Sequence, residues 1–428
     1  MVRPIFVAAA GATAVTIISW ALTRRLLVAA WIGIVIVSWV LGRQLALLPI
    51  GVGLGVVAFH LLARWRGWAP RSLPPGLVLG PPLALCGLAI YQLAAGGIIA
   101  PDDFDFGRPA PAAAASEGNL TSMYVLLLDG YPRADELLDA FEYDNAPFID
   151  ELDRLGFQVH ADATSTFGGT SWTLASTMLH EPNELEPYAD IDSTPDLWAT
   201  LRELRRSYLV NVPMMDRLRD AGYRLEYTAA GVDLSEWRGW DETHDSGHIS
   251  DTEALLIQRS PLAHQLGSWV MDQLRSRVDD SLEAWVASSK DGRQKVSFAH
   301  VMPPHAPLLW GPDEVGLMPR DCWFARGCSM YTVIAEQLGF SRQEYGEHLG
   351  WQIDAVNRRV TEAVRQITEA DADAIVVVMS DHGARYQPHS PERFHTFLAT
   401  RIPHHPDLMS SDPGPDGLFV RLFESVTQ

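Results

Sequence analysis

Four long apolar stretches fill the first hundred residues of the chain, and short Arg-containing segments separate them. No Asp or Glu occurs before Asp102. A helix that crosses a bilayer needs about 20 apolar residues, so we expect residues 1–100 to form a transmembrane helical bundle. Four spans are favoured, and three are the alternative because the second stretch is short. The stretches are Pro4–Leu22, Leu26–Leu41, Gln44–Leu62 and Leu77–Ala100.

From residue 122 to residue 428 the pattern changes to short apolar runs that alternate with amphipathic segments. This alternation predicts an α/β domain with a mostly parallel central sheet. A segment rich in Pro, Ala and acidic residues, 101–121, is expected to be the linker. The predicted strands are Met123–Leu128, Tyr223–Thr228, Val296–Val301 and Ile375–Met379. The predicted helices begin at Asp144 or Asn145 and at Thr170, and cover Val212–Ala221 and Glu344–Glu369.

Charge divides the chain in the same way. The net charge is −20 and every acidic residue lies at or beyond Asp102. Phosphate contacts need clustered Lys and Arg, so the acidic domain argues against nucleic acid as a partner. With four spans, the positive-inside rule places both termini and the acidic domain outside the cytoplasm.

Two predicted strands end in the same chemistry. The run MYVLLL is followed by Asp129-Gly130, and AIVVVMS is followed by Asp381-His382-Gly383. Ligands of parallel sheets bind beyond the carboxyl ends of the strands, so these acids can converge. Two carboxylates and an imidazole suit a divalent cation. The alternative is that each Asp only caps the following turn.

The stretch FGGTSW places Thr170 and Ser171 where a helix begins. A helix N-terminus favours anions, and a hydroxyl there becomes a nucleophile when a metal or base activates it. The alternative is an ordinary helix cap. A second loop, HVMPPHAP, presents His305 between prolines, which suits protonation of a leaving oxygen; the alternative is a His in a Pro-rich turn.

Six stretches carry a resemblance to a known family, and they occur in the family's order. The chain resembles the alkaline-phosphatase superfamily of sulfatase-like hydrolases and transferases, and most of all membrane enzymes of the lipoteichoic acid synthase and phosphoethanolamine transferase type. The stretches are VLLLDGYPR (Val125–Arg133), DNAPFIDELDRLGF (Asp144–Phe157), FGGTSWTLAS (Phe167–Ser176), MMDRLRDAGYRLEYTAAG (Met214–Gly231), FAHVMPPHAPLLW (Phe298–Trp310) and SDHGAR (Ser380–Arg385).

The resemblance implies an alkaline-phosphatase-like catalytic domain and a role for each matching residue. It makes Thr170 the nucleophile, through a phospho-threonine intermediate, with Ser171 as the alternative. The metal, Mn²⁺, Mg²⁺ or Zn²⁺, would be bound by Asp129, Thr170, Asp381 and His382. Substrate contacts would come from Trp172, His305 and Arg385, and a second metal site from His389 or His395.

Two further features bear on the function. Sulfatases need a Cys or Ser in a C/S-x-P-x-R motif, and the sequence after Thr170 has neither that Pro nor that Arg, which disfavours sulfate-ester hydrolysis. Cys322 and Cys328 flank a short loop, and a disulfide between them would require an oxidising compartment; two unrelated thiols are the alternative.

The predicted function is therefore a metal-dependent phosphotransferase or phosphodiesterase outside the cytoplasmic membrane. It would move a phospho-alcohol headgroup, such as phosphoglycerol or phosphoethanolamine, from a membrane phospholipid or lipid-linked donor to a cell-envelope glycan. The alternatives are a phosphoester or sulfate-ester hydrolase of the same fold, and a non-catalytic module that binds the envelope.

Overall fold

The computed structural model describes most of the chain beyond residue 119. The described residues are 120–180, 212–231, 239–258, 263–312, 338–383 and 391–427, with isolated positions at Leu185, Glu203, Leu204, Tyr208, Leu209, Trp237 and Ala335. The predicted spans, nearly all of the predicted linker, and the site candidates Cys322, Cys328, Arg385 and His389 lie outside this part. Within it, no helix combines the length and the apolar character needed to cross a membrane.

Seven strands form one mixed sheet in the order β2-β7-β6-β1-β5-β3-β4. The five strands from β6 to β4 run parallel to one another, whereas β7 is antiparallel to both β6 and β2. The prediction of a mostly parallel sheet is therefore confirmed. The strands are β1 (Met123–Leu128), β2 (Gln158–Val159), β3 (Arg224–Thr228), β4 (Glu242–His244), β5 (Lys295–Val301), β6 (Ile375–Ser380) and β7 (Leu398–Arg401).

Eight α-helices accompany these strands in the described part of the chain. They are α1 (Ala134–Phe141), α2 (Ala146–Arg154), α3 (Thr170–Thr177), α4 (Pro213–Asp220), α5 (Asp251–Gln258), α6 (Ala263–Ser288), α7 (Arg342–Ala370) and α8 (Leu418–Thr427). The long helix α7 begins with a capping box, in which Ser341 Oγ accepts from Glu344 N and the Glu344 carboxylate accepts from Ser341 N.

Both faces of the sheet are covered, and this explains why the central strands are continuous apolar runs. Along β1, Tyr124, Leu126 and Leu128 face a cluster formed with α1, α2, α6 and α7. The alternate residues Met123, Val125 and Leu127 face a second cluster formed with α3, α4 and α8. The domain is thus a three-layer α/β/α arrangement.

The predicted elements agree with the structure to within a few residues at each end. The sequence analysis predicted β1 without error and β6 one residue short. The predicted elements do not include α1, α5, α6, α8, β7 or the short edge strands β2 and β4. The edge strands have two and three residues, too few for a period-2 pattern to be visible.

The chain divides into two compact units. One comprises Gly107–Asp251 and Gly267–Gln428 and contains the whole sheet. The other comprises Met1–Phe106 and Thr252–Leu266, and its described residues belong to α5 and the first residues of α6.

Candidate active site at the carboxyl edge of the sheet

Strand register brings the two predicted metal-binding aspartates together. β1 and β6 are parallel neighbours, and their last residues, Leu128 and Ser380, are paired. Asp129 and Asp381 follow directly, so they leave the sheet side by side at its carboxyl edge. Both are buried, with 4% and 0% of their surface exposed. Like charges buried this close repel unless a cation or a proton lies between them.

One oxygen of each carboxylate is already occupied by a hydrogen bond. Asp381 Oδ1 accepts from the backbone N–H of Gly130 at 2.8 Å. Asp129 Oδ2 lies 3.3 Å from both the Thr170 hydroxyl and His300 Nε2. The other two oxygens, Asp129 Oδ1 and Asp381 Oδ2, are buried and have no hydrogen-bond partner among the described residues.

His382 faces these two oxygens. Its Nε2 lies 3.5 Å from Asp129 Oδ1 and 3.6 Å from Asp381 Oδ2. Its Nδ1 lies 2.9 Å from the Gly383 carbonyl oxygen, which can only accept, so Nδ1 carries a proton. With its proton on Nδ1, the His382 ring turns Nε2 toward both carboxylates, and Nε2 is the atom through which such a ring would bind a metal.

The donor set fits a divalent cation. Ligands arranged tetrahedrally about 2.1 Å from a zinc ion lie about 3.4 Å apart, close to the separations of Nε2 from the two oxygens. The ligand atoms of Asp129, Asp381 and His382 all lie within 4.8 Å of one another. In the part of the chain that the structure describes, no other group of three His, Cys or acidic side chains meets this criterion. A cation there would also remove the repulsion between the two buried carboxylates. Oxygen and imidazole donors do not by themselves choose among Mn²⁺, Mg²⁺ and Zn²⁺.

His300 is a site residue to which the sequence analysis assigned no role. It lies on β5 with none of its surface exposed, paired with Leu127 of the neighbouring β1. Burial by itself raises the pKa of the Asp129 carboxyl, but the hydrogen bond from His300 and the charges of His305 and His382 lower that pKa well below its usual range. His300 therefore helps to keep Asp129 ionised and fixes the direction of its Oδ2.

Thr170 stands at the first position of α3, as predicted. The preceding residue, Gly169, has an extended backbone and is the helix N-cap. The Thr170 hydroxyl donates to Asp129 Oδ2, which places the oxygen beside the cluster of Asp129, Asp381 and His382. Thr173, one turn further along α3, donates to the main-chain carbonyl of Asp381 at 2.8 Å. These two contacts fix the start of α3 against the ends of both central strands.

Gly130 and His305 complete the wall of the site. Gly130 has φ of 65°, and a Cβ there would lie 3.0 Å from His382 Cε1. The backbone N–H of His305 donates to the main-chain oxygen of Asp129 at 3.1 Å. The His305 ring packs edge-on to that of His382, with 6.5 Å between centroids. Its Nδ1 lies 2.9 Å from the Ala306 carbonyl oxygen, so proton exchange with a substrate would go through Nε2.

Three other predicted site residues belong to the part of the chain that the structure describes: Ser171, Trp172 and His395. Ser171 is buried beside Thr170 on α3, and Trp172 is buried in the apolar cluster below it. The role of Trp172 in substrate binding therefore stays a prediction. His395 Nδ1 lies 2.6 Å from a carboxylate oxygen of Glu136 on α1. That pairing neither adds His395 to the Asp129–Asp381–His382 cluster nor tests a second metal site.

A small cavity of about 30 Å³ adjoins His300 and His305. His300, His305 and Ser281 contribute to its lining, together with apolar side chains of α6. His300 Nδ1 and Ser281 Oγ are buried and find no partner in the described part of the chain. The cavity has room for one or two water molecules, which would satisfy such groups.

The fold is similar to that of several solved structures, each at low sequence identity. For the C-terminal periplasmic domain of EptC from Escherichia coli, in complex with zinc, the TM-score is 0.39 at 13% identity, over 74% of this chain and 86% of that one. For lipooligosaccharide phosphoethanolamine transferase A from Neisseria meningitidis it is 0.40 at 12% identity, over 89% and 68%. For an alkaline phosphatase superfamily protein from Vibrio parahaemolyticus it is 0.37 at 14%, over 68% and 62%.

The last of these structures bears the name of the superfamily that the sequence motifs resemble. No family model and no curated protein matches the chain.

Proposed function

We propose that the chain is a metal-dependent phosphoester transferase or hydrolase with Thr170 as its nucleophile. The observation that carries the proposal is the convergence of Asp129, Asp381 and His382 on one point, with the Thr170 hydroxyl bonded to the same Asp129. An alcohol is a weak nucleophile at neutral pH. A divalent cation bound by these residues would lower the pKa of the hydroxyl and offset the charge on the phosphoryl oxygens.

The reaction would proceed by two displacements at phosphorus. In the first, Thr170 Oγ forms a bond to phosphorus while the bond to the leaving alcohol breaks, and the threonine proton passes to water. His305 gives a proton to the departing alkoxide through Nε2. In the second, His305 Nε2 takes the proton of an acceptor hydroxyl or water while that oxygen forms a bond to phosphorus, and the bond from phosphorus to Thr170 Oγ breaks. The Thr170 oxygen takes a proton from water, which regenerates the enzyme.

The residues around Thr170 support this division of roles. The N-terminus of α3 presents backbone N–H groups and a partial positive charge, which stabilise a phosphoryl group on the first residue of the helix. The hydrogen bond from His300 favours the ionised form of Asp129, so the carboxylate stays available to bind a metal and does not take up a proton. The Thr173 contact to Asp381 ties the nucleophile helix to the second ligand strand.

We further propose that the substrate is a phospholipid or lipid-linked phosphodiester and that the acceptor is a glycan of the cell envelope. The apolar, Arg-bordered stretches within residues 1–100 support this by predicting a membrane anchor, with the catalytic domain outside the cytoplasm. An anchor raises the local concentration of lipid headgroups at the site. Plain phosphoester hydrolysis is the alternative, and it differs only in that water, rather than a glycan hydroxyl, attacks phosphorus in the second displacement.

The test uses the full-length protein in detergent micelles that contain phosphatidylethanolamine or phosphatidylglycerol, with each divalent cation in turn. Release of diacylglycerol that requires both the metal and Thr170 supports the proposal. If the other product is the free phospho-alcohol at a stoichiometry of one, the protein is a hydrolase. If neither lipid nor a soluble phosphodiester is turned over with any of the metals, the proposal is overturned.

A further inference from the structure

A single glutamine on α7 contacts five backbone groups of the loop that carries His305. Gln352 has none of its surface exposed, although it lies on a helix more than forty residues beyond the loop. Its Oε1 accepts from the backbone N–H of Leu309 at 2.6 Å and from that of Trp310 at 3.3 Å. We call Met302–Trp310 the His305 loop.

The amide nitrogen of Gln352 serves the other half of the loop. Nε2 lies 3.1 Å from the carbonyl oxygen of Pro307, 3.3 Å from that of Pro304 and 3.4 Å from that of His305 itself. Two N–H groups thus serve three acceptors. A flipped amide would turn its oxygen toward three carbonyl oxygens and its N–H groups toward two N–H donors, so the contacts fix the orientation of the side chain.

The composition of the loop explains why it needs this partner. Pro303, Pro304 and Pro307 have no N–H, so the loop has fewer donors than carbonyl acceptors and cannot satisfy all of its carbonyl groups through local turns. Buried carbonyl groups without a donor are costly. A side chain that offers both donors and acceptors from outside the loop solves this, and an amide does so without adding charge.

His305 is held through its backbone N–H on one side and through its backbone carbonyl group on the other. Its N–H is shared between the main-chain oxygen of Asp129, next to the carboxylate of the proposed metal site, and that of Met302 in the loop itself, and its carbonyl oxygen accepts from Gln352. The ring is then set by the contact of Nδ1 with the Ala306 oxygen. Loss of the hydrogen bonds from Gln352 would leave the carbonyl side of His305 without its contact to α7, and we expect the position of the ring to become less well defined.

We propose that Gln352 is a positioning residue, which holds His305 where it can protonate the leaving alcohol. This inference rests on the proposed function, because it assigns His305 the role of acid in the first displacement. Gln352 touches no reacting atom and acts only through the His305 loop. The effect of losing it depends on how much the leaving group needs a proton, and general acid catalysis contributes about 10²- to 10⁴-fold when it does.

The experiment compares two leaving groups in the full-length, metal-loaded protein. Bis(4-nitrophenyl) phosphate releases a phenolate that departs without a proton, whereas phosphatidylethanolamine in micelles releases the alkoxide of diacylglycerol. The variants are Gln352→Met, which keeps the size and removes all five contacts, and Gln352→Glu, which keeps an acceptor but loses the donors. Gln366→Met, at the surface of the same helix, is the matched control.

We expect Gln352→Met to lower kcat on the lipid by about tenfold or more, with kcat on the nitrophenyl ester within about threefold of the wild-type value. Gln352→Glu should lie close to Gln352→Met, and Gln366→Met should match the wild type. Equal losses on both substrates would mean that Gln352 is only structural, and unchanged kcat on both would mean that the anchor is unnecessary; either result overturns the inference. A wild-type protein that turns over neither substrate overturns the proposed function itself.

Discussion

The hydroxyl of Thr170 lies 3.3 Å from Oδ2 of Asp129, across a sequence separation of 41 residues. This contact joins the start of α3 to the end of β1. It places the threonine oxygen beside the group that would bind the metal. The proposal of Thr170 as the nucleophile rests on this relationship.

Thr170→Ala should lower turnover of a phosphodiester on the order of 10³-fold or more, since removal of a nucleophile leaves only binding and electrostatic effects. Thr170→Ser keeps a hydroxyl at the same position and should retain part of the activity. Ser171→Ala serves as the neighbouring control and should stay near the wild-type rate. The opposite pattern, with activity lost only in Ser171→Ala, would move the nucleophile by one residue.

Asp381→Asn should weaken binding of the divalent cation, because it removes the charge of a carboxylate that has one unpartnered buried oxygen. Metal content after dialysis, measured by mass spectrometry of the elements, reports this without any assay of activity. Asp407→Asn, an exposed position, makes the same change in net charge and should retain the metal. Equal metal content in the two variants would contradict the assigned site.

Gly130→Ala should cost metal affinity as well as stability. A Cβ at this position would lie 3.0 Å from the His382 ring, so the ring must move. Gly292→Ala is the matched control, because Gly292 has a similar φ of 70° and nothing within 4 Å of a Cβ. Both changes should destabilise the fold by about 1 kcal/mol through backbone strain. Only Gly130→Ala should release metal, and comparable metal retention by both would argue against His382 as a ligand.

His300→Phe should lower the affinity for the cation by about 10- to 100-fold, as is typical when a partner of a metal ligand is lost. The substitution keeps a buried aromatic ring and removes the hydrogen bond to Asp129 Oδ2. His300→Gln offers an amide N–H in its place and should recover part of the affinity. Titration of the metal-free protein by calorimetry gives both values. A His300→Phe variant with wild-type affinity would reduce His300 to a packing residue.

The burial of His160 should make the free energy of unfolding decrease in mild acid. Burial is the main cause that lowers the pKa of its imidazole below the usual value of 6.5, so the folded protein binds this proton less readily than the unfolded chain does. The unfolded chain takes up a proton near its ordinary pKa, about 6.5, so stability from this residue is present above that pH and is lost as the pH falls below it. Thermal unfolding between pH 7.5 and 5 should show a smaller loss for His160→Gln than for the wild type. Equal slopes would show that His160 does not control this range.

The convergence of Asp129 and Asp381 was predictable because each follows a continuous apolar run, and parallel strands deliver their carboxyl ends to one edge. The role of His300 was not predictable. It depends on β5 lying next to β1, and the order of strands in a sheet cannot be inferred from a local sequence pattern. A signal for Gln352 was present but needed interpretation. It is a polar residue on the same face of α7 as the buried Leu349, Ile353 and Val356, and only the fold shows that this face meets the His305 loop.

The most direct test of the central claim is to trap the covalent intermediate on the enzyme. The full-length protein, loaded with a divalent cation, is mixed with a phosphodiester, quenched in acid and digested, and its peptides are analysed by mass spectrometry. We predict a phospho-alcohol adduct on Thr170, absent from Thr170→Ala and from metal-free protein. Turnover with no adduct on Thr170 under single-turnover conditions, or an adduct on another residue, would contradict the account.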